Sequence, residues 1–170
     1  DMYTFTPQAL NLPTFETATT MAEAGNMLLI GTNLNCLYPW NQVDTTPTDI
    51  ITLPENNVKY LLTVNNSIYI FVGNKGNIYV TNGSVASAVL TLPDYCAGIA
   101  GSAQSYIEPY FVWGGATYSR GRVYFSIQDQ TAAVSPFAAK TGNCGGIWSF
   151  LPTQSFFYGQ DTGLSLRMEN

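Results

Sequence analysis

A chain of 170 residues has room for one domain with a sizeable core, and its 46% apolar and 14% aromatic content excludes a disordered segment. The net charge is −5, only 10% of residues are charged, and no basic run occurs, which argues against a nucleic-acid footprint. No apolar run approaches the ~18 residues that a membrane-spanning helix needs.

In chain order, residues 1–16 hold a strand-like piece, "MYTFT". The first unit, about 20–55, carries the apolar run Met27–Ile30, a reversal expected to begin at Gly31, a strand over "CLYPW" (36–40), and the closing words "TLPE". The second unit, about 58–94, is rich in Val, Ile, Tyr, Phe and Thr and is cut at short intervals by Asn-Asn, Gly-Asn-Lys-Gly and Asn-Gly. β-branched and aromatic residues suit strands, and Gly and Asn tolerate the positive φ of tight reversals. The pattern predicts strands near 58–64, 67–73, 77–81 and 86–92, with turns at Gly73–Gly76 and Asn82-Gly83. This unit ends in "TLPD".

The two units match in register. Asn26 lies 40 residues before Asn66, Tyr38 lies 41 before Tyr79, and Leu53 lies 39 before Leu92. Leu53 and Leu92 are therefore expected to be equivalent core residues, each followed by a proline that turns the chain out of the sheet. A third, looser unit, about 105–154, follows an insertion rich in small residues (95–109). Two strands flank a Ser119–Gly121 turn, and a third falls within "GNCGGIWSFLPTQ" (142–154), where Leu-Pro ends it again. Between them lies an Ala-rich loop, 131–141. Residues 155–170 contain another strand-like piece, "SFFYG".

A four-stranded antiparallel unit repeated with a period near 40 resembles the blades of a β-propeller, over about residues 20–154. One such sheet has two apolar faces, and only stacking against neighbours buries both. The Trp-Asp dipeptide and the sialidase Ser-x-Asp-x-Gly box are absent, and the Gly-Gly of "WGGATY" (113–118), similar to a kelch strand ending, occurs once. Hairpins such as "GNKGNIYVTNG", rich in Asn, Thr and Tyr and poor in Lys, resemble the propellers of bacteriophage virion proteins. The expected class is all-β, with blades of a propeller that is complete or a partial ring; a β-sandwich is the alternative, since short, closely spaced strands fit it too. Closed propellers have about four to eight blades. The termini (1–16 and 155–170) are expected either to complete a further blade or to meet a partner, and a start at Asp1 suits a piece of a longer polypeptide.

Candidate sites are few. There is no histidine, which removes Ser-His-Asp and Cys-His nucleophile systems and imidazole zinc sites. Cys36, Cys96 and Cys144 have no metal-binding spacing and read as buried free thiols, with one internal bridge at most. Asp44, Asp49, Glu55, Asp94, Glu108, Asp129 and Asp161 fall in no paired-acid motif. "SIQDQ" (126–130) lacks the spacing of a calcium loop, and Gly73–Gly76 is too short for a phosphate loop. Glu55 and Asp94 read as connector residues, solvated or capping a turn. No metal and no cofactor is expected. Trp40, Trp113 and Trp148 are the residues able to stack on sugar rings, against the plainer reading that they pack between strands. Arg120 and Arg122, flanking Gly121, and Phe137 in the long loop are the candidates for an interface. "NNS" (65–67) and "NGS" (82–84) read as turns.

The resemblance implies a non-enzymatic structural or assembly component of a phage virion (tail, neck or decoration). Its partners would be other protein chains or the rest of a longer polypeptide. A carbohydrate- or receptor-binding module, secreted or extracellular, is the alternative. A glycoside hydrolase has the least support, because no acid pair is held at a defined separation.

Overall fold

A computed structural model describes residues 9–92, 98–100, 108–110, 112–127, 146–152 and 165–166. Within them every regular element is a strand, and every pairing is antiparallel. The protein is all-β.

The first sheet contains β1 (Ala18–Ala24), β2 (Met27–Thr32), β3 (Cys36–Trp40) and β4 (Ile51–Thr52), in that spatial order. The second contains β5 (Val58–Val64), β6 (Ser67–Val72), β7 (Asn77–Thr81) and β8 (Ala86–Thr91). A short pair follows, β9 (Gly98–Ala100) with β10 (Glu108–Tyr110). The third four-stranded sheet contains β11 (Trp113–Ser119), β12 (Arg122–Ile127), β13 (Gly146–Phe150) and β14 (Ser165–Leu166). Each large sheet is a meander, its spatial order following the chain, and its first two strands are joined by a two-residue hairpin: Gly25-Asn26, Asn65-Asn66 and Arg120-Gly121. Asn65, Arg120 and Gly121 all take the positive φ that such turns demand.

Three details depart from the sequence expectation. Gly31 does not begin a reversal. The strand runs on through Thr32, and Gly31 faces Val58 of the next sheet so closely that a Cβ there would sit 2.6 Å from Val58 Cγ1. Gly73, which ends a similar apolar run, does start a turn, with φ of 60°. The insertion at 95–109 contributes the β9–β10 pair. Finally, the fourth strand of the third sheet comes from the C-terminal stretch: Ser165 and Leu166 pair with Ser149 and Trp148. Leu-Pro therefore follows the fourth strand in the first two sheets but the third strand in the last.

Two cores lie between three stacked sheets. Leu29, Leu37, Ile51 and Leu53 of the first sheet and its closing turn pack on Val58, Ile68, Ile70, Val72 and Tyr79 of the second. The opposite face of the second sheet, with Tyr69, Phe71, Ile78 and Leu92, packs on Trp113, Val123, Phe125, Ile127, Trp148 and Phe150. Strand β6 shows why its sequence is apolar from Ile68 to Val72: alternate side chains enter different cores, and both are buried. Edge-to-face rings hold the second core, with Phe71 and Trp113 centroids 5.4 Å apart and Trp113 and Phe125 5.9 Å apart.

The expected equivalence of Leu53 and Leu92 holds. Both are buried, and both backbone N–H groups close onto the preceding turn, Leu53 to Asn35 O at 2.8 Å and Leu92 to Gly76 O at 2.9 Å. Each leucine plugs a different core, so the repeated words perform one task twice.

The first strands lie beside one another. Thr19 donates its hydroxyl to Val58 O, Thr63 donates to Glu23 O, and the Leu61 N–H donates to Thr20 Oγ1, which ties β1 to β5. Tyr60 reaches Gly114 O at 3.0 Å, tying β5 to β11.

Candidate functional site

A cavity of about 630 Å3 opens at the end of the second and third sheets. Backbone register makes it. Val58 pairs with Val72, so the start of β5 and the turn after β6 share one end of the sheet. The connector 54–57 enters there, and β11 starts alongside.

Glu55 is the keystone of that end and is only 7% exposed. Its Oε1 accepts from Asn77 Nδ2 at 2.6 Å, and its Oε2 accepts from the Lys75 backbone N–H at 3.3 Å. A Cβ on Gly73 would collide with this carboxylate, so glycine is required both for its φ and for space. Of the two sequence readings for Glu55, turn capping is the one realised, and it is buried rather than solvated. Asp94 lies outside the described residues.

Around this cap stand Lys59 and Lys75, exposed, and neither ammonium makes an ion pair with any described residue. Asn56, Asn57 and Asn74 add amides, with Asn57 held at φ of 74°. Tyr60 forms an aromatic wall, its ring fixed by the hydroxyl bond to Gly114 O. Behind it, the Trp113 indole N–H donates to Val72 O at 3.3 Å.

The other sequence candidates are dispersed. Trp40 is half-buried on β3 and donates its indole N–H to Asp44 O at 2.7 Å, closing the 41–44 loop. Trp113 and Trp148 are buried in the second core, where Trp148 stacks near Phe125 at 6.5 Å. A ring packed on both faces offers none to a sugar, so of the three tryptophans only Trp113 borders the cavity, from within the core. Arg120 is exposed in its turn. Arg122 spans from β12 to β13, donating Nε and Nη2 to Ser149 Oγ at 3.2 and 3.1 Å. Phe137 and the loop around it lie outside the described residues, as do Cys96 and Cys144.

A second polar cluster sits on the first sheet. The Tyr38 hydroxyl donates to Glu16 Oε1 at 2.9 Å, and Glu16 Oε2 is buried without a partner. Burial, then the Glu16 charge, pushes the neighbouring Cys36 thiol above its ordinary range. Burial, then the bond to Glu16, raises Tyr38 as well. Both groups stay protonated at neutral pH, the opposite of an activated nucleophile.

Sequence reasoning missed the meeting of Lys59 with Lys75. The signal was present: strands 58–64 and 67–73 in antiparallel register necessarily bring residue 59 to the 73–76 turn.

No protein-family model matches the chain, and no curated protein matches it in sequence. Among solved structures it is similar to the computationally designed Ika4 protein, at 13% identity and a TM-score of 0.56, covering 98% of this chain and 81% of that one. The computationally designed Ika8 protein aligns at 12% identity and a TM-score of 0.47, covering 84% of this chain and 36% of that one. The likeness to Ika4 concerns the fold alone.

Proposed function

We propose that the chain is a blade stack of a β-propeller acting as a non-enzymatic structural or assembly component of a phage virion, joined to other chains or to the rest of a longer polypeptide. The observation that carries this reading is the second sheet, covered on both faces by its neighbours. First strands side by side suit a radial arrangement around an axis. The outer sheets keep apolar side chains at the surface, Met21 at 61% and Ile147 at 56% exposed, on the faces turned away from the two cores. Apolar faces of that kind favour association with further sheets or subunits. The virion assignment leans on the charge-poor, amide-rich hairpins. Light scattering coupled to size exclusion tests the reading: assemblies well above 18.5 kDa are expected, and a strictly monomeric, monodisperse chain at high concentration overturns it.

A receptor- or carbohydrate-binding module is the second reading. The cleft beside Tyr60 favours it, because pockets of roughly 300–1,000 Å3 with a few convergent polar groups hold small ligands.

A further inference from the structure

The cleft at the shared end of the second and third sheets has a charge that the rest of the molecule does not explain. The chain has three lysines and a net charge of −5, yet Lys59 and Lys75 both line this one cavity. Neither ammonium is paired with a described residue. Among the described residues that line it the one carboxylate, Glu55, is buried and spends both oxygens on the hairpin beneath, one on Asn77 and one on the Lys75 backbone. Two cations over one committed anion leave the mouth of the cleft with a net positive charge. Focused in a partly enclosed space, that charge attracts an anion.

A bare anion would use the lysines and the amide N–H donors and leave the amide acceptors and the tyrosine ring unused. The remaining wall has different chemistry. Tyr60 presents a ring already fixed by its bond to Gly114 O, so stacking on it costs little side-chain entropy. Asn56 and Asn74 are exposed at the rim, and each offers both a donor and an acceptor. Vicinal hydroxyls of a sugar match such amides, and the apolar face of a pyranose matches the tyrosine ring. A volume of about 630 Å3 accommodates a saccharide unit with solvent to spare.

We propose that this cleft binds an acidic saccharide, with the carboxylate of a uronic or sialic acid unit held between Lys59 and Lys75 and its ring against Tyr60. The proposal goes beyond the assembly reading and does not depend on it; it supplies the ligand class for the second reading.

The test is calorimetric titration of the full chain with glucuronate, glucose and inorganic phosphate at low and at moderate salt. Glucuronate is expected to bind, and glucose and phosphate each at least about tenfold more weakly, since each lacks half of the recognised chemistry. Lys59→Ala and Lys75→Ala are each expected to weaken glucuronate about five- to tenfold, with more at low salt than at high. Both side chains are exposed, so circular dichroism of the variants should match the parent. Absence of glucuronate binding overturns the proposal. So does equal binding of glucose, which removes the charge, or of phosphate, which makes this an anion site only. Unchanged affinity in both lysine variants places the ligand elsewhere and overturns it too. Oligomeric mass, measured on the same samples, reports on the assembly reading separately.

Discussion

At Gly31 the backbone of the first sheet lies close against Val58 of the second, and replacing it tests whether stacking really governs this fold. An alanine Cβ would lie 2.6 Å from Val58 Cγ1, 3.0 Å from Val58 Cβ and 2.9 Å from Thr20 Cγ2. Carbon contacts relax near about 3.5–4.0 Å, so the sheets would have to part by about 1 Å. They cannot slide easily. Val58 is fully buried, and hydrogen bonds from Thr19 to Val58 O and from Leu61 N–H to Thr20 Oγ1 cross the same seam. Overpacking of this kind costs about 1–3 kcal/mol. Alanine returns about 0.5–1 kcal/mol by restricting the unfolded chain. The clash wins, and Gly31→Ala should lose about 1–2 kcal/mol. With a urea slope of about 2 kcal/mol/M, the midpoint falls by roughly 0.5–1 M. Val58→Ala alone should lose about 2–3 kcal/mol by opening a cavity. In the double variant the Val58 Cγ1 contact, the closest of the three, is gone while those to Thr20 Cγ2 and the residue-58 Cβ remain, so the pair should lose clearly less than the sum of the single losses. Coupling of at least about 1 kcal/mol is expected. A neutral Gly31→Ala, or strictly additive losses, would refute the packing argument.

Three further expectations concern polar groups. Glu55→Ala leaves Asn77 and the Lys75 N–H without their acceptor, so stability should fall by about 1.5–3 kcal/mol and amide exchange at Lys75 should accelerate; unchanged protection at Lys75 would rule out the cap. Burial pushes the Tyr69 hydroxyl from its ordinary 10.0 up to about 12, with a smaller contribution from Tyr118. Because the folded value is the higher one, its stabilisation is complete below pH 10 and is lost as pH rises from there through 12. Tyr69→Phe should therefore lose less stability between pH 9 and about 11.5 than the parent in urea titrations, and parallel slopes would count against this. In a Cys96→Ser/Cys144→Ser background, Cys36 should react with a thiolate-trapping reagent at about pH 8 more slowly than an unstructured cysteine peptide, and Glu16→Gln should quicken it; a faster-than-peptide thiol in the parent contradicts the burial assignment.

What the amino-acid order determined by itself was most of the strands of the first two sheets and their hairpin pairing, but not the β9–β10 pair or the β14 strand. Alternation, β-branched runs and Asn or Gly reversals act over a few residues, and antiparallel hairpins need only neighbours in the chain. The second sheet was therefore legible almost strand for strand, and so was the shared role of Leu53 and Leu92. Contacts between sheets were not legible, because they join residues some forty positions apart whose types are ambiguous. Gly31 and Gly73 look alike after their apolar runs, yet one makes room for Val58 and the other turns the chain. Trp148 reads first as core and only second as a ligand platform, and the apposed face of the second sheet is what buries it. Glu55 reads as a connector, solvated or capping a turn, until the β6–β7 hairpin folds over it and makes it a buried cap. The cleft draws on both kinds of information: hairpin register within the second sheet brings Lys59, Tyr60 and the 73–76 turn to one end, whereas Val112 and Trp113 are set against them by stacking, which is driven by apolar area rather than by any local preference.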